Sequence, residues 1–114
     1  MSGVPPAELV ASVCTALRNE VAKLGLSIGD EPGPAALVFA EVVDPYSQEV
    51  SLSGSWQGQR AGTLTVFPDG RVFAEYQVLL PHPQDAQRYV EAVQVWGRPP
   101  ALRGEAVFGE FAAS

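Results

Sequence analysis

Proline, aspartate and glycine follow one another at Pro68, Asp69 and Gly70, inside the stretch VFPDGRV, and no other feature of the chain restricts its fold so tightly. Proline presets φ at the second turn position, aspartate suits the third, and glycine tolerates the left-handed backbone that closes a G1 bulge. A turn of this kind sets Phe67 opposite Arg71, Val66 opposite Val72, Thr65 opposite Phe73, Leu64 opposite Ala74 and Thr63 opposite Glu75. The pairs sort by character, with Val/Val and Leu/Ala on one side and Thr/Glu and Phe/Arg on the other. Slipping the register by one residue would mix the two sides. Phe67 and Arg71 can stack as a cation–π pair worth roughly 0.5–1 kcal/mol at an exposed site. A metal or phosphate loop would use only the one aspartate and the one glycine, with no further ligands nearby. The stretch is a chain reversal.

Turn signals also bound the neighbouring runs. Residues 37–43 are apolar on both sides except Glu41, and the register of this strand is left open by the pattern. Residues 49–57 alternate, with Val50, Leu52, Gly54 and Trp56 on one side and Ser51, Ser53 and Ser55 on the other. With 62–67 and 71–80 they predict a β-meander of four strands. Ahead of it, Val10, Val13, Cys14, Leu17, Val21 and Leu24 recur at helical spacing and predict a helix over 6–25, opened by Pro5-Pro6 and closed by Gly25. Residues 1–5 form a short polar lead. IGDEPGPA, residues 28–35, is a breaker too rich in proline and glycine for helix or ladder.

After the meander, Pro83 at a first helical position and Asp85 in the first turn predict a second helix over 83–97. Ala86, Tyr89, Val90, Val93 and Trp96 make its buried stripe, and Gly97 with Pro99-Pro100 ends it. A last strand is expected over 105–111. The expected fold is therefore α+β: an antiparallel meander of four to five strands with two helices packed on one face, in the order α-β-β-β-β-α-β. Its 114 residues form a single domain over 1–114, for which area scaling gives roughly 6,000 Å² of folded surface.

Charge and residue counts exclude whole classes of chemistry. A net charge of −6 and a single lysine, Lys23, argue against nucleic acid and anionic membranes. Cys14 is the only cysteine, so nothing marks an oxidising compartment; the first ten residues lack a signal-like apolar run, and a cytoplasmic location is expected. One cysteine and one histidine, His82, do not make a zinc site, and no glycine-rich phosphate loop occurs. Cys14 lies on the apolar stripe of the first helix, where cysteine behaves as a small hydrophobe, and the serines and carboxylates have no visible partners for catalysis. No cofactor and no enzymatic activity are expected.

Two candidate sites remain. With the helices over Leu52, Trp56, Leu64, Val66, Val72 and Val78, the reverse of the sheet keeps Thr65, Phe67, Arg71, Phe73 and Leu79, a candidate interaction face. The rival is an aromatic-lined pocket between sheet and helices, walled by Trp56, Tyr76, Tyr89 and Trp96 and suited to a small ligand. In size, acidic charge and helix–sheet–helix order the chain resembles bacterial secretion chaperones and toxin-neutralising immunity proteins. The resemblance implies an adaptor that binds protein and rests on no motif. The expected function is a non-enzymatic protein-interaction module acting as a homodimer.

Overall fold

The computed structural model describes residues 5–111. One helix, α1 (Ala7–Lys23), is followed by a 3-10 turn (Pro34–Ala36) and six strands: β1 (Leu37–Val43), β2 (Val50–Trp56), β3 (Gly62–Val66), β4 (Val72–Pro81), β5 (Arg88–Arg98) and β6 (Ala101–Glu110). The strands form one antiparallel sheet in sequence order, a complete meander. The α+β class stands. Of the polar lead over 1–5, all but Pro5 lies outside the described residues.

The Pro68-Asp69-Gly70 turn folds as its residues dictate. Gly70 adopts φ +90°, its N–H donates to Phe67 O at 3.0 Å, and Phe67 N–H donates to Arg71 O at 2.9 Å. Thr63 to Val66 face Glu75 to Val72 in the expected register. Arg71 stands 5.5 Å from the Phe67 ring centre, and its Nε donates to Asp69 Oδ2 at 2.7 Å. Asp69 also accepts from the Arg71 backbone N–H, which more than anything else holds its carboxyl below the usual range.

The second helix is absent, and its segment is β5. Tyr89, Val90, Val93, Val95 and Trp96 are the β-branched and aromatic types that suit a pleated sheet. The register slips between Val90 and Ala92 in the pairing with β6, a bulge that adds one residue and lets Val90 and Val93 point the same way. Three-residue spacing of buried valines is the mark of a helix, and here a bulge counterfeits it. Pro81-His82-Pro83 begins a loop: His82 N–H donates to Arg88 O at 3.1 Å, and Asp85 Oδ1 accepts from Gln87 N–H at 3.0 Å. The last strand starts at Ala101, earlier than position 105, because the turn at Pro99-Pro100 joins β5 and β6 as a hairpin from Arg98/Ala101 onward. The order is α-β-β-β-β-β-β, with six strands in place of four or five and one helix in place of two. The helix–sheet–helix order behind the resemblance to chaperones and immunity proteins goes with it.

α1 matches its expected stripe. Val10, Val13, Cys14, Leu17 and Val21 are buried, and Gly25 past its end takes φ +79°. The helix lies over β4, β5 and β6, packing on Val72, Ala74, Tyr76, Val78, Val90, Val93 and Val95. Residues 24–36 then cross back over the Trp56 end of the sheet and are pinned there. Trp56 Nε1 donates to Gly33 O at 3.1 Å, Arg18 Nη1 to Pro32 O at 2.8 Å, and Arg60 Nη1 to Glu31 Oε2 at 2.6 Å. The breaker is thus a cover for the core. Both cover and helix lie on one side of the sheet. The body measures 50 × 28 × 25 Å with 7074 Å² of surface, above the roughly 6,000 Å² of a compact chain this size, as suits a sheet covered once.

Candidate functional site

Pairing register decides what the uncovered face carries. Alternation puts Leu37, Phe39, Leu52, Trp56, Leu64, Val66, Val72, Ala74 and Tyr76 on the helix side. Leu37 stands opposite Trp56 and Phe39 opposite Gly54, where a Cβ would fall 2.6 Å from the Phe39 ring. This contact fixes the register that the apolar pattern of 37–43 left open, and sends Val38, Ala40 and Val42 to the reverse.

On that reverse face one row runs Ala40, Ser53, Thr65, Phe73, Trp96 and Arg103. The next runs Val38, Ser55, Thr63, Glu75, Gln94 and Glu105, with Gln94 Nε2 donating to Glu75 Oε2 at 2.5 Å. Small hydroxyl side chains on β2 and β3 leave the rings of Phe73 and Trp96 standing beside a low polar floor. Phe73 is 38% exposed, and Val38 and Val42 are 61% and 51% exposed at the far edge. The surface mixes hydroxyls and charges with exposed valines at the β1 edge and has an aromatic pair near the turn end of β4 and β5.

The structure brings most of the candidate interaction face together. Thr65 faces Phe73 across the ladder, while Phe67 and Arg71 stack at the hairpin end of the same two strands. Leu79 stands apart. Six residues beyond Phe73 is roughly 20 Å of strand, and Leu79 sits in a register shift with φ +54°, 57% exposed. Trp96 belongs to this face, which the helix reading of 83–97 concealed. The cue available was its direct alternation with Val95 and Val93.

The four pocket aromatics do not line one cavity, and only Trp56 and Tyr76 meet. Trp56 and Tyr76 are 5% and 2% exposed and pack edge to face in the core, their ring centres 5.3 Å apart. Tyr89 lies over Gly109 and tilts against Phe111 at 5.2 Å, and Trp96 is on the reverse of the sheet. A groove of about 500 Å³ runs elsewhere, between α1 and the β5–β6 hairpin beside Asn19, Glu20, Leu102 and Arg103. It is an open furrow, and Lys23 closes on Glu20 at 2.6 Å at its rim.

Titratable groups sit where the fold needs them. Burial pushes the Cys14 thiol up to about 11, so at neutral pH it is a packed thiol without thiolate character. Burial likewise raises the Tyr76 phenol, helped by the nearby Glu31 carboxylate. His82 Nδ1 accepts from Gln84 N–H at 3.0 Å, a turn contact. Asp44 caps its own turn by accepting from the Ser47 and Tyr46 N–H groups, and those bonds lower its carboxyl. Among the described residues no three His, Cys, Asp or Glu side chains cluster as metal ligands, and no helix is long and apolar enough to cross a membrane.

Comparison with protein-family models, with curated proteins and with solved structures finds no match.

Proposed function

We propose that the chain is a non-enzymatic protein-interaction module that acts as a homodimer and presents the uncovered face of its sheet to a partner protein. The observation that carries this reading is the Phe73–Trp96 pair on that face, near the turn end of β4 and β5, with no element of the described chain over it. Aromatic side chains with threonines on one side and Arg103, Glu75 and Glu105 on the other combine a rigid apolar anchor with a polar and charged rim, the make-up of a binding hot spot. Glu75 accepts from Gln94, which holds its carboxylate in place beside the pair.

A photoreactive amino acid at Thr65, next to Phe73, tests it in the cells that make the protein. The expected result is a discrete adduct with another protein that disappears when Phe73→Asp is added. Absence of any adduct, or an adduct indifferent to Phe73→Asp, contradicts the reading.

A further inference from the structure

β1 is an edge strand whose outer side is open. Asp44 N–H donates to Glu49 O at 2.9 Å and Gln57 N–H donates to Ala36 O at 3.0 Å, so the hydrogen-bonded pairs between β1 and β2 fall on even-numbered residues of β1. The backbone amides and carbonyls of Leu37, Phe39, Glu41 and Val43 therefore point away from β2. Among the described residues the 3-10 turn takes up the Leu37 amide, which donates to Pro34 O, and no turn or loop takes up the others.

The other edge is guarded and this one is not. β6 carries Arg103, Glu105 and Glu110, its pairing is broken by the bulge, and α1 packs over it. β1, with the sequence LVFAEVV, has no proline, no basic residue and no bulge, and Glu41 is its one charge. Val38, Val42 and Val43 on it are 61%, 51% and 51% exposed. Soluble proteins avoid a regular apolar edge of this length unless something pairs with it.

We propose that β1 pairs antiparallel with β1 of a second copy across a two-fold axis at Ala40, joining two six-stranded sheets into one. The proposal rests on the homodimer reading above and names its contact. The strand is self-complementary about that centre, which is what an isologous interface requires. Leu37 meets Val43 of the second copy, Val38 meets Val42, and Phe39 meets Glu41, while Ala40 meets itself. Phe39, Glu41 and Val43 bring free amides and carbonyls and Leu37 a free carbonyl, so the four facing pairs give about six hydrogen bonds. Val38 and Val42 meet at positions without ladder bonds, where side chains approach closest. Moving the axis to Glu41 would set two carboxylates face to face and shorten the ladder. Val38, Ala40 and Val42 lie on the uncovered face, so the two Phe73–Trp96 centres end up on one continuous surface.

The test uses the full chain with Ala40→Cys and Ala40→Lys, both at an exposed position. Sedimentation is expected to give a dimer for the unaltered chain and a monomer for Ala40→Lys with an unchanged far-ultraviolet spectrum. Mild oxidation is expected to link Ala40→Cys into a covalent dimer, because directly opposed residues in such a pair fall within disulfide reach. Val38→Cys, which faces Val42, stays unlinked. Cys14 is buried and does not compete. A dimer that survives Ala40→Lys, with Ala40→Cys unlinked, overturns the edge pairing alone. A monomeric unaltered chain overturns the homodimer reading with it.

Discussion

Phe73 on β4 stands directly opposite Trp96 on β5, on the side of the sheet that α1 does not touch. Their neighbours two residues along, Glu75 and Gln94, are joined by a hydrogen bond. Directly opposed side chains on one face of a sheet contribute about 0.2–1 kcal/mol to the fold. Phe73→Ala is therefore expected to lower unfolding free energy by about 1 kcal/mol or less in urea titration. A loss above about 3 kcal/mol would mean that Phe73 belongs to the core.

Leu17 differs in kind. It is fully buried where α1 meets the sheet. Leu17→Ala is expected to cost about 2–5 kcal/mol, by transfer and cavity terms together. The same titration separates it from Phe73→Ala and shows which face holds the fold.

Much of this arrangement was legible from local chemistry. Pro68-Asp69-Gly70 gave the β3–β4 register because the turn leaves it no freedom, and the apolar stripe of α1 gave the helix because no bulge or kink interrupts it. The segment 83–97 carries the pattern of a helix for a physical reason. Period-two alternation was interrupted at Glu91, Pro83 and Asp85 supplied start signals, and Gly97 supplied a stop. A strand with a bulge and turn residues at both ends then matches a helix template as well as its own. Leu79 was grouped with Phe73 by parity alone, which ignores the distance along the strand and the slip between Gln77 and Leu80. Pairing of β1 was illegible because its determinant, Phe39 seated on Gly54, is a contact between strands.

Gly54 tests that determinant. A side chain there would collide with the Phe39 ring, which backs onto β2. Gly54→Val is expected to lower stability by about 1–3 kcal/mol despite valine's preference for strands. Pairing it with Phe39→Ala should recover part of the loss. An unchanged midpoint for Gly54→Val would mean that Phe39 lies elsewhere.

Alkaline pH should weaken the fold through Cys14. Its thiol is raised from 9.0 to about 11 in the folded chain, so the native state holds the proton that the unfolded state releases first. Stability is therefore full below pH 9 and lost as pH rises through about 11, by about 1–2 kcal/mol after allowing for solvent screening. Tyr76 is raised by burial and adds a loss of the same sign at higher pH. Cys14→Ala should flatten the slope between pH 9 and 11 in denaturation curves taken at each pH, leaving the Tyr76 part. An identical slope would assign the effect to other groups.

Two tryptophans on opposite faces allow the central claim, a sheet covered on one side only, to be measured directly. Trp96 is the sole tryptophan in Trp56→Phe, and Trp56 is the sole one in Trp96→Phe. Acrylamide is uncharged and so is indifferent to the net charge of −6. Its quenching of fluorescence is predicted to be efficient for Trp96 in a dilute chain and weak for Trp56, which is 5% exposed under residues 24–36. Equal protection of the two would place part of the chain across the Phe73–Trp96 face and contradict the account.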